Sequence, residues 1–232
     1  MTAARQAFAQ AAAAIQSAFA ARGERATEVT PALLAAAINQ LLAVCDRLDE
    51  QPAHGGQQEA DALAEQALSC IADLALWAER VGCAAHRHAV EVLALEVAQW
   101  SLRRGGEIRV LEPIVNALAY RANAAHSPDQ LIPLYRLMHD IIGHVAPGIR
   151  DNSTGADPAR PWRVINLNFA IVATRTQAPQ LMNAAYDLLE QNLPADCAAF
   201  FEEGVRQAGK TIYDDRVREL MRERFAKWTT RH

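Results

Sequence analysis

Aromatic side chains are scarce in this chain: they make up 6% of its 232 residues, although hydrophobic residues make up 51%. The apolar content is therefore mostly alanine, leucine, valine and isoleucine. Small and unbranched side chains such as alanine favour helices and let them approach closely. No segment shows the alternating β-branched pattern that a strand requires. The sequence therefore predicts an all-α protein.

An excess of positive charge is also absent. Lysine and arginine number 23 against 27 aspartates and glutamates, so the formal net charge is −4. Proteins that bind nucleic acid through its phosphates usually carry a basic stripe that releases counterions. The sequence therefore predicts no nucleic-acid partner.

The chain also lacks a C-x-x-C pair and a long uninterrupted apolar run. Its four cysteines are widely spaced, which disfavours zinc, redox and haem-attachment motifs and is typical of small core residues in a reducing compartment. The N-terminal run from 3 to 21 is rich in alanine, but Arg5 and three glutamines interrupt it, so it predicts an amphipathic helix. These absences predict a soluble, cytoplasmic protein with no membrane partner.

Periodicity and helix-breaking residues divide the chain into about ten helices. Among them, single helices are predicted at about 84–103 and 107–124. We expect one helical-repeat domain over 1–232. The stretch 147–161 is the longest irregular segment, and because long loops in compact domains are often functional, it is a candidate functional insertion.

Two helical hairpins align without a gap when the sequence is shifted by 51 residues. The shift superimposes seven positions, which are Ile114, Leu118, Ala119, Ala122, Pro128, Tyr135 and Leu137, on Ile165, Phe169, Ala170, Ala173, Pro179, Tyr186 and Leu188. The pattern predicts a helix, a proline-marked turn and a second helix, repeated. Stacked antiparallel hairpins of this kind form an α-α superhelix with one curved surface left for contact. Chance similarity between two amphipathic hairpins is the alternative.

One stretch of the chain, from Phe169 to Pro194, resembles a tetratricopeptide repeat. Phe169 and Ala170 occupy the large-small pair of that family, Tyr186 its second-helix aromatic position and Pro194 its closing proline. The spacing of 51 residues exceeds the family's shorter period. The resemblance implies that an extended peptide or a partner helix binds on the concave face, which the first helix of each hairpin lines.

The residues of that face follow from the resemblance by position. They are Asn116, Tyr120, Asn123, Ile171, Thr174 and Arg175. Asparagine side chains there could hydrogen-bond a peptide backbone, and Arg175 could pair with an acidic group. The alternative is that these are ordinary solvated or half-buried helix positions.

A histidine pair gives the most pointed local motif. The segment from His139 through His144 to Pro147 is similar to the iron-binding segment of aromatic amino-acid hydroxylases. That resemblance implies that both histidines are ligands in a facial triad, with Asp187 or Glu190 as the carboxylate. Five residues rotate by roughly 140° on an ideal helix, so the rings converge only if the helix ends or bends near Gly143. The alternative is a helix terminus whose histidines interact with the dipole.

Motifs of catalysis are otherwise missing, since the chain has no Gly-rich phosphate loop, G-x-S-x-G or serine-lysine arrangement. The leading interpretation is a non-catalytic helical-repeat module, without a cofactor, that binds a protein or peptide as an adaptor, assembly factor or regulator. One alternative is a metal-dependent enzyme centred on His139 and His144. Another is a sensor that binds a small molecule in a pocket between helices.

Overall fold

The computed structural model describes residues 2–23, 29–50, 56–151, 160–209 and 213–229. Within these ranges the secondary structure is helical, and one isolated parallel bridge pairs Ile108 with Val145. The fold is therefore all-α, as predicted. The helices are α1 (Ala3–Ala21), α2 (Pro31–Glu50), α3 (Gln57–Arg80), α4 (Ala84–Glu91), α5 (Leu93–Arg103), α6 (Glu112–Ala124), α7 (Pro128–His144), α8 (Pro147–Asp151), α9 (Pro161–Arg175), α10 (Pro179–Asn192), a 3₁₀ turn (Pro194–Asp196), α11 (Cys197–Ala208) and α12 (Asp215–Thr229).

The chain divides into two compact units. The first comprises Met1–Tyr120 with Gly143–Gly155, and the second comprises Arg121–Ile142 with Ala156–His232. The division falls within α6 and α7. The single-domain organisation stays a prediction, and each unit is described by itself.

In the first unit, α3 contacts four other helices, α1, α2, α4 and α5. Its buried apolar residues recur every three or four positions, so they form one continuous stripe. Most of them are small, which lets the neighbouring helices approach closely. The stripe consists of Ala60, Ala64, Ala67, Leu68, Ile71, Leu74, Ala75 and Ala78.

One helix of the first unit, α2, is long and apolar enough to cross a membrane by length and composition alone. The core helices of soluble proteins pass the same test. In this structure α2 packs against α1 and α3, and it buries Leu34, Ile38 and Leu42 among other residues. The expectation of a cytoplasmic protein without a membrane partner stays a prediction.

In the second unit, successive helices pack in pairs, α9 against α10 and α11 against α12. Tyr135 and Tyr186 occupy the same position in α7 and α10, seven residues after the first residue of each helix. Both are buried, and each packs on an aromatic ring of a following helix, Tyr135 on Phe169 at 4.7 Å and Tyr186 on Phe201 at 5.1 Å between centroids. This packing is consistent with the predicted helical repeat.

Three predicted boundaries need correction. The predicted helix at 84–103 is two helices separated at Val92, where the backbone keeps helical dihedral angles and the sequence periodicity therefore shows no break. The helix predicted from about 107 begins at Glu112, because the backbone of Ile108 bonds instead to His144 and Ala146.

The third correction concerns the loop predicted at 147–161. Residues Pro147–Asp151 form α8, which begins with a proline that has no amide proton to leave unpaired. The Arg150 side chain also donates hydrogen bonds to the carbonyl oxygens of Val145 and Gly143, at 2.6 and 3.0 Å. The remainder of the predicted insertion, 152–159, lies outside the described residues.

An ion-pair network ties α12 to α10 in the second unit. Arg224 contacts both Asp187 and Glu190, at 2.6 and 3.0 Å, and Lys227 contacts Glu190. Burial opposes the ionisation of Glu190, but hydrogen bonds from Lys227 and Arg224 hold the pKa of its carboxyl below the usual value. A carboxylate with a lowered pKa stabilises the fold above its unfolded-state pKa, and this contribution is lost as the pH falls through the folded-state value.

Replacing Glu190 with glutamine is therefore expected to make the free energy of unfolding depend less steeply on pH in the acidic range. Between pH 7 and pH 3, which brackets the ordinary glutamate pKa of about 4.3, the wild type should lose more unfolding free energy than Glu190→Gln. Urea unfolding at a series of pH values measures this difference. The control variant Glu223→Gln changes an exposed residue of α12, and its free energy of unfolding should depend on pH as that of the wild type does. The same pH dependence in all three proteins would contradict the prediction.

Candidate functional site

A cavity of about 570 Å³ lies in the second unit between α9, the 3₁₀ turn, α11 and α12, and we call it the α9 cavity. Residues spaced by three or four positions share one face of a helix, and such a face of α9 forms the first wall. The lining residues of this wall are Arg163, Leu167, Ile171, Thr174 and Arg175.

The opposite wall is one face of α11, completed by side chains from the adjoining segments. Its residues are Asp196, Ala199, Phe200, Glu203, Gly204, Gln207, Tyr213 and Met221. At Gly204, the terminal methyl group of Met221 occupies the space that a Cβ atom would take. Because this methyl group is the flexible end of the side chain, it can move aside.

Most of the cavity surface is apolar. Leu167, Ile171, Phe200 and Met221 supply the larger hydrophobic side chains, and Ile171 is 45% exposed. Ligand pockets in proteins are typically 300–1,000 Å³ in volume, roughly, and mostly apolar with a few polar groups that orient the ligand. The α9 cavity has both properties.

Both carboxylates that line the cavity are already paired. Arg163 contacts Asp196 at 2.7 Å. Glu203 accepts hydrogen bonds from Arg206 at 2.7 Å and from Gln207 at 2.6 Å. These pairs compensate the negative charge of the lining.

Arg175 differs from the other charged lining residues. Its guanidinium donates hydrogen bonds to the backbone oxygens of Ala122 and Ala125, both at 2.6 Å. These carbonyls lie at the end of α6, where the last carbonyls lack the regular intrahelical bond, although the Ala122 oxygen also accepts a 3.3 Å hydrogen bond from the Ala125 amide. Within the described part of the chain Arg175 forms no ion pair with a carboxylate, so its positive charge has no opposite full charge beside it.

The six residues predicted to bind a partner have different environments. Ile171, Thr174 and Arg175 are brought together at the α9 cavity. The Thr174 hydroxyl is buried and shares hydrogen bonds with the Ala170 carbonyl and the Tyr186 hydroxyl, at 2.8 and 2.7 Å. Ile171 is thus the most exposed member of this trio. Asn123, also in the second unit, is exposed on α6.

The other two, Asn116 and Tyr120, lie in the first unit. The Asn116 amide donates a 2.8 Å hydrogen bond to buried Glu91, which also accepts one from Arg87 at 2.7 Å. Tyr120 is 52% exposed, and its ring lies against His88 with centroids 3.2 Å apart. Burial lowers the pKa of His88, although Glu91 partly opposes this, so the imidazole is neutral at pH 7.

The two histidines of the predicted metal site lie on α7, which continues through Gly143 to His144. A continuous helix directs side chains five residues apart roughly 140° away from each other. The carboxylates proposed to complete the triad, Asp187 and Glu190, contact Arg224 of α12. Across the described ranges no group of three or more histidine, cysteine, aspartate or glutamate side chains is arranged to hold a metal ion.

Two of the four cysteines, Cys45 and Cys197, match the predicted core role, whereas Cys70 and Cys83 are only half-buried. Cys45 and Cys197 are buried, and burial raises the pKa of these thiols to about 11 and about 12. Reactive cysteines need the thiolate form near neutral pH. Both thiols are therefore protonated at pH 7.

Sequence reasoning missed the α11 wall. Phe200, Glu203 and Gln207 recur at helical spacing, which is a detectable signal. The same spacing is typical of an ordinary solvated face, so it does not reveal that the face lines a cavity.

No protein-family model matches the chain, and searches of curated proteins and of solved structures also give no match. The structure shows an all-α fold with packed neighbouring helices.

Proposed function

We propose that this chain is a non-catalytic helical module that works by binding, and that the α9 cavity is its binding site. The observation that carries the proposal is the convergence of Ile171, Thr174 and Arg175 on one apolar cavity. The repeat pattern of the sequence predicts the same three residues for the partner-binding face.

The leading form of the proposal is recognition of a protein or peptide partner, in an adaptor, assembly factor or regulator acting in the cytoplasm. The tetratricopeptide-like pattern from Phe169 to Pro194 supports it, since such repeats bind peptides along the first helix of each hairpin. The α9 wall from Arg163 to Arg175 is about 18 Å long at about 1.5 Å per residue. A partner segment inserts an apolar side chain beside Ile171 and Phe200, as in helix-in-groove recognition.

A site-specific crosslink tests this form. A photoreactive amino acid at Gln207, which lines the cavity, is expected to capture a defined partner in cells. The Ile171→Asp substitution should lower the crosslink yield about tenfold, because it places a charge where an apolar side chain docks. Ile171 is 45% exposed, so the free energy of unfolding should change by no more than about 0.5 kcal/mol.

The matched control places the same photoreactive group at Arg222, an exposed residue of α12. We expect no capture of that partner from Arg222. Equal capture from both positions, or a yield that Ile171→Asp leaves unchanged, would count against the α9 cavity as the partner site.

A second form of the proposal is a small-molecule sensor. The volume of the α9 cavity, about 570 Å³, favours it because that volume lies in the range of ligand pockets. A ligand that binds only the native state raises the melting temperature. A thermal-shift screen is expected to find ligands whose shift disappears in Ile171→Asp, and shifts that persist in this variant would place those ligands elsewhere.

A further inference from the structure

We infer that the α9 cavity binds a small amphiphilic anion, a molecule with an apolar body and a single carboxylate that lies beside Arg175. The inference rests on the proposed function in its small-molecule form. It adds the chemical class of the ligand, which the volume alone does not give.

The charge balance of the lining indicates the sign of the ligand. Asp196 is matched by Arg163, and Glu203 is matched by Arg206. Among the described residues, the hydrogen-bond acceptors of Arg175 are carbonyl oxygens, which carry no full negative charge. The charged residues of the lining sum to zero, but Glu203 is matched by Arg206 from outside it, which leaves the Arg175 charge without a carboxylate among the described lining residues. A guanidinium suits a carboxylate because its planar N–H groups match the two oxygens.

The apolar lining indicates the rest of the ligand. Leu167, Ile171, Phe200 and Met221 offer hydrocarbon surface and no hydrogen-bonding group, apart from the weakly accepting sulfur of Met221. A polar body would lose its hydrogen bonds to water without replacement, at a cost in affinity. A multiply charged ligand such as a nucleotide would also leave charges unpaired, because Arg175 is the only cation among the described lining residues that lacks a carboxylate partner.

Three probes of equal chain length and different charge test the inference on the wild-type chain. These are decanoate, 1-decanol and decylammonium, each titrated calorimetrically below its aggregation concentration at pH 8, where the carboxylate is ionised. Decanoate is expected to bind at least about tenfold more tightly than decanol, the effect of one charge-assisted hydrogen bond. Decylammonium should bind most weakly.

A matched pair of substitutions then places the charge effect at the α9 cavity. Ile171→Asp and Ile171→Asn are nearly equal in size and differ in charge, and residue 171 lies one helical turn before Arg175. Decanoate should lose about fivefold more affinity in the Asp variant than in the Asn variant. Decanol, which carries no charge, should lose the same affinity in the Asp variant as in the Asn variant.

Arg175 itself can be observed without mutation. Decanoate is expected to shift the side-chain Nε–H resonance of Arg175 in a nitrogen-proton spectrum, whereas decanol should leave it nearly unchanged. This readout avoids substituting a residue that also holds the end of α6.

Each outcome separates the inference from the proposed function. If decanol binds as tightly as decanoate and both depend on Ile171, the anion preference is wrong and the cavity remains a binding site. If no probe binds while the Gln207 crosslink captures a partner, the small-molecule inference is overturned and the protein-binding form stands. If probes and crosslink both fail, both are overturned. Decanoate preference with no difference between Ile171→Asp and Ile171→Asn would place the anion site outside the cavity and overturn the inference.

Discussion

Replacing Phe169 with alanine is expected to lower the free energy of unfolding of the second unit by about 3–5 kcal/mol. Phe169 is 1% exposed, and its ring stacks on Tyr135 with centroids 4.7 Å apart. The substitution removes this stacking and leaves a cavity that the surrounding helices fill only in part. Urea unfolding, with hydrogen exchange of peptides from α9 and α10 as the local readout, measures the loss.

Phe169→Leu is the matched control, since leucine occupies the corresponding repeat position, Leu118. It retains most of the buried volume, and we expect a loss of about 1.5 kcal/mol or less. An alanine variant that loses under about 1 kcal/mol, or a leucine variant that loses as much as alanine, would show that Phe169 is not a packing anchor of this unit.

Replacing Arg175 with alanine is expected to destabilise the second unit by about 1.5–3 kcal/mol. The two 2.6 Å hydrogen bonds from Arg175 satisfy carbonyl oxygens at the end of α6. Removing the guanidinium leaves those acceptors to be satisfied by water and frees the end of the helix. Chemical unfolding of the full chain measures the change, and hydrogen exchange at 121–126 localises it.

Two controls accompany this variant. Arg121→Ala removes an arginine at an exposed position of α6 and should change the unfolding free energy by no more than about 0.5 kcal/mol. Arg175→Lys should give an intermediate loss, because an ammonium group lacks the planar fork that reaches two carbonyls. Equal stability of Arg175→Ala and the wild type would contradict the helix-end role.

The Arg175 contacts also bear on how binding experiments are designed. The sequence marks Arg175 as a residue for an acidic partner group, whereas the structure shows that it also holds the end of α6. Loss of binding in an Arg175 variant would therefore mix a lost contact with a loosened helix. Substitutions of Ile171 test binding with less effect on stability, because this side chain is 45% exposed and lines the cavity.

Local signals predicted much of the helical framework. Thr30 accepts a 3.3 Å hydrogen bond from the amide of Leu33, and α2 begins at Pro31, so a hydroxyl N-cap followed by a proline marks the start of this helix. Gly23, Gly82 and Gly105 follow the ends of α1, α3 and α5, and all three have positive φ angles that other residues rarely adopt. These features depend on a few neighbouring residues, so the sequence contains them directly.

The sequence by itself determined the all-α class and the helix starts and ends that a proline or a glycine marks, such as those at Pro31 and Gly23. Tertiary structure alone decided where Ile108 pairs, what Arg175 contacts and that α9 and α11 line one cavity. The physical reason is the range of the interactions. Capping and periodicity act within one or two helical turns, whereas the contact between Arg175 and Ala122 joins residues 53 positions apart, and only the packing of whole helices brings such residues together.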